Sequence, residues 1–159
     1  MSIPEVGDPA PDFTLPGTVV RDGTRTDEEY ALSAVIGRTL VLAFYPGDAS
    51  PVCTAQLLQL PAGARRLRRP RRGGLGISPQ ALDSHEVFAR DSSLTFPLLS
   101  DTAGHVIRTY GVRAPGIGLR RSVFVIGPDG VVRWRHVGLV GLRFPTAETI
   151  RAQIELLVA

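Results

Sequence analysis

The sequence has little of what would cross-link a chain or anchor it in a membrane. It contains one cysteine in 159 residues, so no disulfide can form within it. No apolar run approaches the ~20 residues that span a bilayer, and residues 1–12 lack the basic start and apolar stretch of a secretion signal. We therefore expect a cytoplasmic protein without a membrane partner, in a reducing compartment that suits a free thiol.

Lysine is also absent, and all 18 basic residues are arginine. The net charge of +3 is local, because six arginines lie between Arg65 and Arg72 and the balance without them is 12 minus 15, or −3. No aromatic residues interleave with this run, so we do not expect nucleic-acid binding. Apolar residues make up 43% and charged residues 21%, an ordinary globular mixture that predicts a single domain over residues 1–159.

Alternating buried strands and helices predict an α/β fold. Thr39–Tyr45 is a continuous apolar run of strand length, which indicates a strand buried on both faces, and we place it at the sheet centre. Leu75–Ser78 predicts a second buried strand, followed by a helix from about Ala81 to Arg90. Four further segments are predicted: an extended arm over Asp8–Leu15, a polar turn and short helix over Gly23–Ser33, an extended piece over Phe96–Asp101, and a short helix over His105–Tyr110 closed by Gly111.

The C-terminal third predicts a hairpin and a last helix. Ser122–Ile126 and Val131–His136 are strand-like and are joined through Gly-Pro-Asp-Gly, a strong turn signal. Thr146 is a plausible cap for a helix that begins there. Strand-helix units followed by a hairpin give a central mixed β-sheet flanked by helices.

The segment Phe44–Leu57 carries the chemistry, because there a buried strand ends and a helix is predicted to start. Ser50 is a good N-cap and Pro51 a good first helical residue, which puts Cys53 in the first turn, where backbone N–H groups and the helix dipole favour a thiolate. Lowering a thiol pKa from about 8.5 to ~6 raises the ionised fraction at pH 7 from ~3% to ~90%. The alternative is that Cys53 is a small buried hydrophobic residue without a chemical role. Cys53 follows a buried strand, at the place where α/β sheets bind ligands, and this position favours a chemical role.

Pro46, Ser50 and Cys53 spell PxxxSxxC, which resembles the active-site signature of peroxiredoxins. The surrounding FYPGDASPVCTAQL is similar to the bacterioferritin-comigratory, or Q-type, branch of these thiol peroxidases. Other segments resemble family landmarks in the expected order: Val6–Phe13, Gly76–Glu86, Phe96–Asp101, Thr109–Val112 and Arg121–Ile126.

The resemblance implies a thioredoxin-like fold and a thiol-dependent peroxidase that needs no cofactor or metal. It implies that Cys53 is the nucleophile, which reduces hydrogen peroxide and organic hydroperoxides to water and alcohols through a sulfenic acid, in antioxidant defence and redox homeostasis. Ser50 would hydrogen-bond the peroxide, and Pro46 would shield the thiolate from water. Arg121, with Arg120 as the neighbouring candidate, would hold the thiolate and polarise the leaving oxygen.

The resemblance also implies an external reductant. Many members of the branch have a resolving cysteine five residues after the first, but that position is Leu58 here. We therefore expect a thioredoxin-dependent peroxiredoxin, or one reduced by glutaredoxin or a low-molecular-weight thiol, acting as a monomer or homodimer. His85, His105 and His136 share no spacing with Cys53, so neither a cysteine-histidine dyad nor a metal site is expected.

Residues 59–74, QLPAGARRLRRPRRGG, depart from the family pattern of a helix leading into a buried strand. Pro61 and Pro70 break a helix, and the arginines leave almost no apolar face. The alternative function is therefore an inactive thioredoxin-fold binding or structural domain damaged in this segment; a thiol-disulfide oxidoreductase lacks its CxxC pair. A slipped reading frame is a further hypothesis, since one codon choice shifted by one base encodes GLDDFAGLGAEV before Leu75. That reading leaves a resolving cysteine near residue 60 open.

Overall fold

The structure, a computed structural model, describes residues 2–35, 37–48, 72–114, 118–138, 146, 148–150 and 152–153. In this part of the chain seven strands form one mixed sheet in the order β2-β1-β5-β4-β3-β8-β9. They are β1 (Thr14–Arg21), β2 (Thr24–Ala31), β3 (Thr39–Phe44), β4 (Arg72–Ser78), β5 (Leu98–Ser100), β8 (Ser122–Ile126) and β9 (Val132–Val137). Strands β6 (Arg113–Ala114) and β7 (Gly118–Leu119) form a separate ribbon, and the helices are α1 (Leu32–Val35), α2 (Leu82–Asp91) and α3 (His105–Thr109).

The predicted α/β architecture with a mixed sheet is confirmed. Helix α2 contributes to the hydrophobic cluster on one face of the sheet, and α3 contributes to the cluster on the other. None of the described helices is long and apolar enough to cross a membrane.

Strand β3 is buried on both faces, as its continuous apolar run predicts. Leu42 and Phe44 belong to the cluster on one face, whereas Val41 and Ala43 belong to the cluster on the other. This strand pairs in parallel with β4 and antiparallel with β8. The prediction of an interior strand is therefore right, but the middle position of the seven belongs to β4.

Strand β4 begins earlier than predicted, at Arg72 rather than Leu75. Gly73 pairs with Leu40 and Gly74 with Val41, so the last residues of the arginine-rich segment join the sheet. Glycine is a poor strand former, and the sequence gives these residues no strand signal of their own. The neighbouring strand β3 supplies their partners. The predictions for residues 59–71 lie outside the described residues.

The prediction for Gly23–Ser33 is wrong for most of its length, because Thr24–Ala31 is a strand and only the short helix α1 follows. This strand pairs antiparallel with β1 through a two-residue turn in which Asp22 has φ 50° and Gly23 has φ 77°. Such positive angles are typical of Asp-Gly hairpin turns. The strand was missed because it is polar and mostly exposed at the sheet edge, without apolar alternation.

Helix α2 is fastened to this edge hairpin by charge and by packing. Phe88 is buried against the sheet, and the guanidinium of Arg25 lies 2.8 Å from Asp27, 2.9 Å from Asp83 and 2.7 Å from Glu86. Hydrogen bonds from Arg25 lower the pKa of Asp27 and of Glu86, and the three carboxylates raise the pKa of Arg25. The inner face of α2 supports the candidate site.

The other predicted elements are found close to their predicted bounds. The β8–β9 hairpin is present, with an irregularity in register between Val125 and Ile126. The short helix α3 ends before Gly111, whose φ is 68°. Strand β5 lies within the extended piece predicted over residues 96–101.

Thr146 caps the last helical segment, as predicted. Its Oγ1 accepts a hydrogen bond from the backbone N–H of Thr149 at 3.2 Å, and its carbonyl accepts one from Ile150 at 3.0 Å. Ile150 is buried in the cluster that includes α2.

Candidate active site

The sheet brings the ends of four strands to one edge. Strands β3, β4 and β5 run parallel, so their carboxyl ends lie together. Strand β8 is antiparallel to β3, with Ser122 opposite Phe44, and therefore starts where β3 ends. In open α/β sheets ligands bind beyond the carboxyl ends of the strands. We therefore expect the predicted site residues at this edge.

Arg121 lies directly before β8 and is only 7% exposed. Its carbonyl accepts a hydrogen bond from the N–H of Gly138 at 2.9 Å, which ties the start of β8 to the end of β9. Arg120 is half-buried, and its carbonyl accepts a hydrogen bond from the hydroxyl of Ser122 at 2.8 Å. The deeper of the two arginines is thus the one that the family pattern selects. Burying a cation is costly unless it meets anionic or polar partners.

Pro46 is half-buried, two residues after β3 ends. The intervening Tyr45 is fully buried, and its N–H donates to the carbonyl of Ile77 at 3.1 Å, so the chain stays paired to β4 up to the proline. Ser50 and Cys53 lie outside the described residues. Of the four predicted site residues, the structure places Pro46 and Arg121 at the two chain segments that flank the end of β3.

Aromatic side chains pack beside the end of β3 on one face of the sheet. The ring centroids of Phe44 and Tyr110 are 5.1 Å apart, and those of Tyr110 and Phe124 are 5.4 Å apart. The Tyr110 hydroxyl donates to the carbonyl of Pro11 at 2.8 Å. Burial raises the pKa of Tyr110, so this hydroxyl keeps its proton at neutral pH.

A buried polar cluster occupies the same edge on the face covered by α2. His85 is completely buried, and its Nδ1 lies 2.8 Å from Oδ2 and 3.0 Å from Oδ1 of Asp48. The Tyr45 hydroxyl donates to Asp48 at 2.8 Å, and the Ser84 hydroxyl donates to it at 2.7 Å. On the other side of the ring, Nε2 lies 3.0 Å from the carbonyl of Leu99. The loop after β3 is thereby joined to α2 and to β5.

Comparisons with known proteins identify the family. The AhpC/TSA family model matches residues 6–135. Peroxiredoxin Bcp of Xanthomonas campestris is 32% identical over 142 residues, which cover 84% of this chain and 86% of that protein. The chain belongs to the AhpC/TSA family of peroxiredoxins.

Two further relatives place it in the Bcp, or Q-type, branch. Chloroplastic peroxiredoxin Q of Oryza sativa is 33% identical over 130 residues, covering 80% of this chain and 57% of that longer protein. The solved bacterioferritin comigratory protein of Xanthomonas campestris, described for its alkyl peroxide reduction activity, superposes with a TM-score of 0.66 at 28% identity, covering 91% of this chain and 90% of that chain. These likenesses confirm the thioredoxin-like fold and the branch implied by the motif.

This peroxiredoxin is therefore an oxidoreductase that acts on peroxides with a thiol reductant. The alternative of an inactive binding domain is not favoured by the relatives, which are named peroxiredoxins. The described edge can contribute a buried cation at Arg121 and, at Pro46, a rigid turn at the end of the strand that leads to Cys53. Stabilising a thiolate and a developing oxyanion requires a preorganised cation of this kind.

The buried histidine was missed from the sequence, where none of the three histidines was given a role. Asp48 lies inside the FYPGDASPVC segment, whereas His85 is 37 residues further on, so no local spacing joins them. One signal was available. Phe88 and Ala89, three and four residues after His85, mark the buried face of the predicted helix, and a polar residue on that face needs a hydrogen-bonding partner.

Proposed function

We propose that Cys53 is the peroxidatic nucleophile of this peroxiredoxin. Its thiolate attacks one peroxide oxygen, the O–O bond breaks, and the other oxygen leaves as water or an alcohol after taking up a proton, so the cysteine becomes a sulfenic acid. Ser50 hydrogen-bonds the peroxide, Pro46 shields the thiolate from water, and Arg121 stabilises both the thiolate and the leaving oxygen. The observation that carries this proposal is the buried position of Arg121 beside the end of the strand that leads to Cys53.

The substrates that we propose are hydrogen peroxide and organic hydroperoxides. Attack on an O–O bond is the same step for both, and only the leaving group differs, water in one case and an alcohol in the other. The Xanthomonas relative described for alkyl peroxide reduction supports the inclusion of organic hydroperoxides.

We propose further that reduction depends on an outside thiol. The chain has one cysteine, so the sulfenic acid condenses with an external thiol, releasing water and forming a mixed disulfide that a second thiol opens. Thioredoxin, glutaredoxin and low-molecular-weight thiols all supply such groups. This chemistry fits the cytoplasm, where thiols are kept reduced. The proposed working unit is the single domain of residues 1–159, as a monomer or homodimer, and sedimentation velocity measures which.

The test is peroxide consumption by purified wild-type protein and by Cys53→Ser. Serine keeps the size of the side chain but not the nucleophilic sulfur, so we expect the variant to fold and to consume no peroxide. Arg121→Ala should slow oxidation, and Arg120→Ala is its matched control on the neighbouring arginine. Residual turnover of more than a few per cent of the wild-type rate in Cys53→Ser would remove the nucleophile assignment.

A further inference from the structure

The cluster around Asp48 and His85 contains two ionisable groups, both almost completely withdrawn from solvent. The His85 side chain is 0% exposed and the Asp48 side chain 3%. Polar groups buried to this degree are costly unless each finds its hydrogen-bonding partners. In this cluster both ring nitrogens of His85 and both carboxyl oxygens of Asp48 have a polar atom within hydrogen-bonding distance.

The contacts of His85 join α2 to the loop after β3 and to β5. The Leu99 carbonyl can only accept, so Nε2, at 3.0 Å, donates to it. The Asp48 side chain accepts from the hydroxyls of Tyr45 and Ser84. Its oxygens also lie 2.8 and 3.0 Å from Nδ1 of His85, so three side chains converge on Asp48.

The pair is therefore a buried contact between an imidazole ring and a carboxyl group. Among the described residues, the ionisable side chains that contact His85 are Asp48, from the loop after β3, and Tyr45, at the end of that strand, whose hydroxyl lies 3.3 Å from Nδ1. From β5, the Leu99 carbonyl accepts a hydrogen bond from Nε2. Removing one partner would leave other polar groups of the cluster buried without a hydrogen bond, which costs more than the loss of an exposed contact.

Asp48 and His85 lie where they can position the start of the segment that contains Cys53. Asp48 is the last described residue before the segment that contains Cys53, and only four residues lie between them. On the other side of β3, Arg121 is held by the pairing of β8, in which Ser122 lies opposite Phe44. Asp48 therefore lies where the chain leaves the sheet toward Cys53, and it is fixed relative to the strand that follows Arg121.

We propose that Asp48 and His85 form a positioning pair, in which the buried hydrogen-bonded contact between the imidazole ring and the carboxyl group anchors the loop after β3 and so holds Cys53 in register with Arg121 and the peroxide. The proposal rests on the assignment of Cys53 as the nucleophile. It gives His85 no contact with substrate: the histidine acts through Asp48. A misplacement of about 1 Å at a reacting centre can cost on the order of 10²-fold in rate.

Two substitutions of one residue separate this role from general stability. His85→Gln can keep a donor near the Nε2 position for Leu99 but loses the contact with Asp48. His85→Asn can keep a donor near the Nδ1 position for Asp48 but loses the contact with Leu99. Both replace the same buried ring by a smaller amide side chain, so a merely structural histidine should make them equally harmful. His105→Gln, the same substitution at an exposed histidine, is the control for effects that do not depend on the buried cluster.

The measurements are the rate constant for oxidation by hydrogen peroxide, the rate of Cys53 alkylation by iodoacetamide at pH 9, and the melting temperature. For His85→Gln we expect peroxide oxidation to slow by about 10- to 100-fold, because alignment with Arg121 is lost. Alkylation should change by less than about threefold, since it needs only an accessible thiolate. His85→Asn should recover most of the peroxide rate although its melting temperature falls by a similar amount.

Three outcomes are decisive. Equal peroxide rates in the Gln and Asn variants, or slowing of alkylation in parallel with peroxide oxidation, would overturn the positioning role. Nitrogen NMR of labelled histidine should show ring signals of His85 that shift in Asp48→Asn; ring signals unchanged by that substitution would overturn the contact between the two side chains. Peroxidase activity in Cys53→Ser would instead refute the proposed nucleophile, which keeps the two failures distinct.

Discussion

Replacing Arg121 by alanine should disable the chemistry while leaving the sheet in place. The backbone contact that ties this residue to Gly138 uses its carbonyl, which alanine retains, and β8 pairs with β3 from Ser122 onward. The guanidinium itself is buried, so its attraction for a nearby thiolate is screened much less than that of a surface arginine. The loss should therefore appear in the reaction rate more than in the fold.

The expected size of the effect has two parts. An adjacent cation lowers the pKa of an acid by about 1–3 units, so its removal should raise the pKa of the Cys53 thiol. For any thiol, a pKa rise from ~6 to ~8 reduces the thiolate at pH 7 from ~90% to ~10%, about a tenfold loss. Removing a preorganised donor from the leaving oxygen by itself costs about 10²–10³ in rate, or ~2.7–4 kcal/mol, so the two parts together predict a loss of at least about 10².

Stopped-flow oxidation and pH-dependent alkylation separate the two parts. Alkylation reports the thiol pKa alone, whereas peroxide oxidation at pH 9, where thiolate is abundant in both proteins, reports the polarisation of the leaving oxygen. Arg120→Ala should change neither by more than about threefold. If Arg121→Ala leaves both the alkylation profile and the high-pH peroxide rate unchanged, the arginine is not part of the reaction.

Three further predictions test the fold and the chain itself. Phe124→Ala, at a fully buried ring packed edge-on to two other aromatics, should lower the free energy of unfolding by about 3–5 kcal/mol in urea titrations, and a loss below about 1 kcal/mol would contradict the packing. Arg25→Ala should destabilise the protein at neutral pH and less so at acid pH. The lowered pKa values of Asp27 and Glu86 mean that their ionised forms stabilise the fold above about pH 4, and this stabilisation is lost as the pH falls through the folded-state values. A stability difference between variant and wild type that grows in acid would contradict these pKa shifts. Resequencing the gene across residues 59–74 should reveal a shifted frame, and an intact frame encoding the arginine run would refute the slip.

Much of the fold could be predicted because its strongest signals are local. The buried strand β3 is apolar at every position because both its faces are covered, and the β8–β9 hairpin has a turn sequence that few other structures accept. Strand β2 could not be found by apolar periodicity, since it lies at an edge and exposes polar residues. Its one signal was the Asp22-Gly23 turn, which lies at the start of the segment predicted as a polar turn and short helix.

Site residues that belong to a recognisable sequence motif could be predicted, whereas contacts made only by the tertiary fold could not. Arg121 was assigned through the family resemblance, and the antiparallel pairing of β8 with β3 brings it to the expected edge. The partnership of Asp48 with His85 depends instead on how α2 lies across the ends of β3 and β5, which is a tertiary relation. The roles of all four site residues stay predictions, and Ser50 and Cys53 also lie outside the described part of the chain.

The most direct test of the account is the fate of Cys53 when the reduced protein meets one equivalent of hydrogen peroxide. Stopped-flow mixing should show oxidation far faster than that of free cysteine, and trapping with dimedone followed by intact-mass and peptide analysis should show one adduct, on Cys53. With no thiol present the mass should correspond to a sulfenic acid; with a low-molecular-weight thiol it should correspond to a mixed disulfide. A rate no faster than that of free cysteine, or a mass two units below the reduced chain with no added group, would contradict the one-cysteine peroxidase.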